Sequence, residues 1–142
     1  MQGTRPGDLR ANLPLPPIEA HRLEFGFDDL HEVRAQVAAA ATAAGLEPAR
    51  VADLAAAASE LAANSVLHGG GRGLATIWGD GGAVFVEVAD AGRITDPEAG
   101  TRLPDPEVEH GRGLYIANQL CDEVSIESGE SGTRVRLRAG GT

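Results

Sequence analysis

Glu60, Asn64 and His68 recur at every fourth position of the stretch SELAANSVLHGGG. On a helix such residues drift by only about 40° per step, so a carboxylate, a carboxamide and an imidazole form one polar strip beside an apolar stripe and point at a common cleft. Farther along, VEVADAG is an alternating strand ending in Asp90, with Gly92 two positions on. A carboxylate at a strand end accepts hydrogen bonds from an amino group, and glycine lets a flat ligand approach the backbone. In HGRGLYIANQL, Gly111 and Gly113 directly precede a helical pattern, where unsatisfied amides suit phosphate oxygens. Gly132-Thr133 opens a last strand-like run. Taken singly, each piece has an ordinary reading: a solvated helix edge, a turn aspartate, glycine as punctuation.

The elements that must carry these residues are legible from periodicity. HRLEFGF alternates Leu23, Phe25 and Phe27 as a strand with one buried face, and Asp28 or Asp29 caps the next segment. LHEVRAQVAAAATAA predicts a helix with Leu30, Val33 and Val37 on one face, stopped by Gly45. Pro48 suits the first turn of a second helix, whose stripe is Val51, Leu54, Ala58, Leu61 and Ser65 and which ends at Gly69 to Gly71. LATIWGD and AVFVEVAD read as an antiparallel hairpin across Gly81 and Gly82. Residues 93–110 lack apolar periodicity and hold Pro97, Pro104 and Pro106, a loop long enough to expect a function for it. A third helix follows, with Leu114, Ile116 or Ala117, and Leu120 or Cys121 inward, and then VSIES and TRVRLRA form a second hairpin. Grouped helices and mostly antiparallel strands predict an α+β two-layer sandwich, a mixed, mostly antiparallel sheet covered on one face by three helices.

Composition narrows the function classes. The 142 residues suit one domain, and no apolar run is long enough to cross a membrane. The first residues, MQGTRPGDLRANLPLPP, carry four prolines and no apolar h-region, so residues 1–20 are expected to be a flexible tail and not a secretory signal, leaving 21–142 as the folded domain. The lone Cys121 rules out an internal disulfide and fits a reducing compartment, with the cytoplasm as the expected location. A net charge of −9 repels nucleic acid and anionic lipid, so neither is an expected partner. The same field repels a nucleotide, so a nucleotide site here needs local donors such as helix starts and glycine-loop amides. The four histidines show no metal-ligand spacing, and Trp78 and Tyr115 are expected in packing.

The order of the pieces is more specific than any one of them. With E-x-x-x-N on a helix, D-x-G after a strand, a long loop, G-R-G-L at a helix start and G-T on a strand, the chain resembles the GHKL (Bergerat-fold) ATPase superfamily from about Leu23 to Arg138. The E-L-x-x-N-x-x-x-H form is similar to its anti-sigma factor and serine-protein kinase branch, with a histidine kinase-like ATPase domain. The resemblance implies ATP and Mg²⁺ as cofactors, with Glu60 as the catalytic base or water-orienting carboxylate and Asn64 on the metal. It implies that Asp90 and Gly92 read the adenine amino edge and that Thr133 supports the base through water. Gly111, Arg112, Gly113 and Leu114 would hold phosphates, and residues 93–110 would form the lid. A hard cation that keeps several waters needs little more than one carboxamide oxygen and the phosphates, which suits Asn64. The implied activity is a serine/threonine protein kinase that binds a sigma factor and phosphorylates an anti-anti-sigma STAS partner, with the homodimer as the usual assembly of the resembled branch; the alternative is a non-catalytic ATP-sensing module that sequesters a regulatory protein. Two departures bear on these roles: many relatives read D-x-G-x-G where this chain has Ile94, and Glu109-His110 stands where kinases of the branch often carry a basic residue. Arg102 and Arg112 are the candidates to meet a γ-phosphate.

Overall fold

The computed structural model describes residues 8–10, 13–92 and 111–141. Strands β1 (Asp8–Arg10) and β2 (His21–Phe25) precede helices α1 (Leu30–Ala43) and α2 (Pro48–His68). The hairpin β3 (Gly73–Asp80) and β4 (Ala83–Asp90) leads, beyond residues 93–110, to α3 (Gly111–Leu120) and a second hairpin of β5 (Glu123–Gly129) and β6 (Gly132–Gly140). The six strands form one sheet in the order β1-β5-β6-β4-β3-β2. All neighbours are antiparallel except β1, which runs parallel to β5. The α+β class and the grouped helices are as the periodicity predicts.

Strand alternation explains the main core. Val84, Val86 and Val88 of β4 pair with Ala139, Leu137 and Val135 of β6, and all six are buried on one face. Val33 and Val37 of α1, Leu54, Ala58 and Leu61 of α2, and Leu114 and Ala117 of α3 join them in one buried cluster. Alanine on α1 and α2 does more than favour helix: small inward residues such as Ala41, Ala55 and Ala62 let helix and sheet approach closely. Gly45 stops α1 with φ at 88°, a left-handed conformation that glycine adopts without strain. Among the described residues no helix is long and apolar enough to cross a membrane.

Three expectations are corrected. Phe27 is not the third inward residue of a strand; β2 ends at Phe25, and Phe27 is 71% exposed in a short 3₁₀ turn where Asp29 accepts the Gly26 amide at 2.9 Å. Gly111 and Gly113 do not precede the third helix but lie in its first turn. Within residues 1–20, the described part departs from an unpacked tail. Asp8–Arg10 adds a strand beside β5, and Leu13 is buried to 6% exposure. The run has too few apolar residues to show an inward period, and its docking uses backbone groups instead.

Leu13 docks on the helix-free face of the sheet, the face that no helix of the described residues covers. Glu87, Thr76 and Ser125 are buried there at 3%, 2% and 6% exposure, although no helix among the described residues covers them. Arg136 donates from Nη2 to Glu87 Oε1 at 2.7 Å and lies 4.9 Å from the centre of the Trp78 ring, which stacks on Phe85 at 5.3 Å. Arg134 Nη1 stands 3.8 Å from Glu87 Oε2 as a second counter-charge, so this enclosed carboxylate is compensated from two sides.

A separate latch joins α2 to the end of the sheet. Asp122 accepts from Arg50 and from the Gly140 amide. Burial alone would raise the Asp122 carboxyl, but the Gly140 amide and the Arg50 guanidinium outweigh it and hold it below the ordinary range. The stability from this group is present above the ordinary carboxylate pKa and is lost as pH falls through the depressed value. Asp122→Asn is therefore expected to cost up to about 1 kcal/mol at neutral pH, the bridge being partly exposed, and nothing once the carboxyl is protonated. Urea unfolding at about pH 7 and about pH 3 checks this; an equal deficit at both would contradict it. Burial, reinforced by Asp122, pushes the neighbouring Cys121 thiol up to about 12, so it behaves as a core side chain.

Candidate functional site

β6 inserts between β4 and β5, so Asp90 at the end of β4 becomes the cross-strand partner of Thr133 at the start of β6. Above this pair runs the last part of α2. Leu61, Asn64, Ser65, His68 and Gly69 of that segment, with Val88, Asp90, Gly92, Leu114, Thr133 and Val135, line a cleft of about 450 Å³, part of it open to solvent. Its walls are apolar at Leu61, Val88, Leu114 and Val135, and its polar end is the hydrogen-bonded group of Ser65, Asp90, Gly92 and Thr133. That combination is how a flat, partly apolar ligand is oriented.

The polar end is built around Asp90. Its Oδ2 accepts from the Ser65 hydroxyl at 2.6 Å, and its Oδ1 accepts from the Gly92 amide at 2.7 Å. The Thr133 hydroxyl donates to the Gly92 carbonyl at 2.8 Å and pairs with the Ser128 hydroxyl at 2.7 Å. These bonds fix the carboxylate rotamer and the chain direction out of β4. Each oxygen keeps a further lone pair for a ligand donor.

Two glycines make this closeness possible. A Cβ at Gly69 would stand 2.3 Å from Asp90 Cγ, so the turn after α2 can cross the carboxylate only without a side chain. A Cβ at Gly132 would stand 2.2 Å from the Asp90 carbonyl, and its φ of 122° already favours glycine. Gly132 thereby acquires a role that its place at the start of a strand does not reveal.

Of the residues singled out from sequence, Asn64, His68, Asp90, Gly92, Leu114 and Thr133 come together on the cleft wall. Glu60 lies on α2 one turn before Asn64, part-buried, and is not among the lining residues. Gly111, Arg112 and Gly113 begin α3, and Leu114 carries that helix start into the cleft. The first four amides of a helix have no intrahelical acceptor, so those of residues 111–114 suit an anion. Residues 93–110, including Ile94, Arg102, Glu109 and His110, lie outside the described residues.

Sequence reading missed Ser65 and Gly69 as parts of the site. Ser65 has the spacing of the apolar stripe and is 1% exposed, so it reads as core. The available signal was a hydroxyl at an inward position next to Asn64. Ser128 was missed because only pairing with β6 places it beside Thr133.

The donor set fits a magnesium nucleotide better than a metal held by protein alone. Among the described residues no three His, Cys, Asp or Glu side chains gather to hold an ion. Asn64 offers one hard oxygen, and a cation with one protein ligand needs phosphates and water for the rest.

Comparison with known proteins gives a family and a fold likeness. A family model described as the histidine kinase-like ATPase domain matches residues 25–139. Among solved structures, the chain matches the crystal structure of the RsbU and RsbW domains of Rv1364c from Mycobacterium tuberculosis, with a TM-score of 0.60 and 23% identity over 84% of this chain and 32% of that one. At that identity the likeness is one of fold, and the chain spans about a third of the length of that neighbour. No curated protein is a significant match.

Proposed function

This chain belongs to the histidine kinase-like ATPase domain family, and from that premise we propose that it is an ATP-binding, anti-sigma-type regulator acting as a serine/threonine protein kinase. The observation that carries the reading is the Asp90 carboxylate, held by Ser65 and Gly92 in a largely apolar cleft that Asn64 also lines. In this reading adenine lies between the apolar walls with its amino group on Asp90, and the amides of residues 111–114 receive phosphate oxygens. Asn64 and the phosphates would hold Mg²⁺, which when bound neutralises phosphate charge. Glu60 accepts the proton of a serine or threonine hydroxyl as that oxygen bonds to the γ-phosphorus and the bond from the γ-phosphorus to ADP breaks.

In the same reading the partner is a sigma factor or an anti-anti-sigma STAS protein, which the fold likeness to a structure that includes an RsbW domain supports, and the cytoplasm is the proposed location. A homodimer is part of the same reading.

Isothermal titration with ATP tests it. Wild-type protein is expected to bind ATP more tightly with Mg²⁺ than without, and Asn64→Ala is expected to lose most of that difference. Failure of the wild type to bind ATP under either condition would remove the proposal.

A further inference from the structure

The residues that finish the nucleotide cleft and those that hold the N-terminal segment stand back to back on the same two strands. On the cleft face, Ser128 of β5 and Thr133 of β6 are cross-strand partners whose hydroxyls meet at 2.7 Å, and Thr133 holds the Gly92 carbonyl at 2.8 Å. The next pair inward, Glu127 and Arg134, points to the opposite face because successive strand residues alternate. Their side chains meet at 3.2 Å, and both grip Leu13: Glu127 Oε2 accepts its amide at 2.7 Å, and Arg134 donates to its carbonyl. Arg136, one alternation farther along, donates to the Pro14 carbonyl. The segment is thus held mainly through its backbone, by a charged ladder whose first rung is adjacent in the chain to the cleft wall.

We propose that the segment Leu13–Pro14 is a strap linked to the nucleotide site, its docking on the helix-free face strengthened when the cleft is filled. The inference rests on the nucleotide reading above. A ligand that orders Thr133 and Ser128 also orders the strand ends carrying Arg134 and Glu127. Strap docking then meets a smaller ordering cost, which makes the two events cooperative. Linkage is reciprocal, so an undocked strap weakens nucleotide binding by the same factor. Leu13 is buried but stands outside the main hydrophobic cluster, so the strap can be loosened without opening the core.

Amide hydrogen exchange of Leu13 in the full chain, followed by NMR with and without saturating Mg-ATP, is the direct test. Nucleotide is expected to slow exchange at Leu13 by about fivefold or more. Leu13→Pro, which removes the N–H that Glu127 accepts, is expected to weaken ATP binding by the same factor while thermal unfolding stays close to wild type. ATP binding with unchanged or faster exchange at Leu13 would overturn the linkage while leaving the nucleotide reading intact. No detectable ATP binding overturns the nucleotide reading and the linkage with it.

Discussion

Replacing Asp90 with asparagine is expected to lower affinity for adenine nucleotides by roughly a hundredfold or more while the fold is kept. The side chains are nearly isosteric, but the surrounding bonds allow the amide only one orientation. Gly92 presents a backbone N–H to Oδ1 at 2.7 Å, so the asparagine oxygen must stay there. The amide nitrogen then faces Ser65, whose hydroxyl turns from donor to acceptor at little cost. The ligand-facing edge beside Ser65 changes from acceptor to donor and meets the adenine amino group donor to donor. A site whose polar group is left unpaired discriminates strongly, so the variant should lose less affinity for a 6-oxo purine nucleotide than for ATP. Titration of ATP and ITP against both proteins, with circular dichroism as the folding control, reads this out. Equal affinity of wild type and variant for ATP would remove Asp90 as the base-reading residue.

Glu60→Ala is expected to reduce phosphoryl transfer by about 10²–10⁴-fold, with ATP affinity changed by no more than about twofold. Glu60 is part-buried on α2, and alanine is the best helix former, so the change leaves the helix in place. The residue lies a turn before Asn64 and outside the lining of the cleft, which is why binding and chemistry should separate. Transfer of label from γ-³²P-ATP to a STAS-domain partner, beside a binding titration, distinguishes the two effects. Wild-type transfer by the variant would exclude Glu60 as the base. Parallel loss of binding and transfer would instead assign it to the nucleotide pocket.

Local pattern was a good guide wherever a single element carried the information. The span from Pro48 to His68 follows from its proline start, its apolar stripe and its terminal glycines. The alternation in β3 and β4 likewise predicts their hairpin. Phe27 shows the limit, since alternation continues past Phe25 in sequence but the chain has already turned into a 3₁₀ segment. Ser65 shows another, because a small polar residue in an apolar stripe looks like packing until its acceptor is known.

The sequence by itself determined which chemical groups exist and which of them share an element: Glu60 with Asn64 on one helix, Asp90 at a strand end, glycines at a helix start. Periodicity records which side of an element is buried, and that is a local property. The partner across the gap was decided only by tertiary structure. Thr133 reaches Gly92, 41 positions away, because β6 lies between β4 and β5, an order that no local pattern encodes. The seat of Leu13 against Glu127 and Arg134 arises the same way, from a backbone donor and acceptor that every residue but proline carries and that acquire meaning only when two distant segments meet.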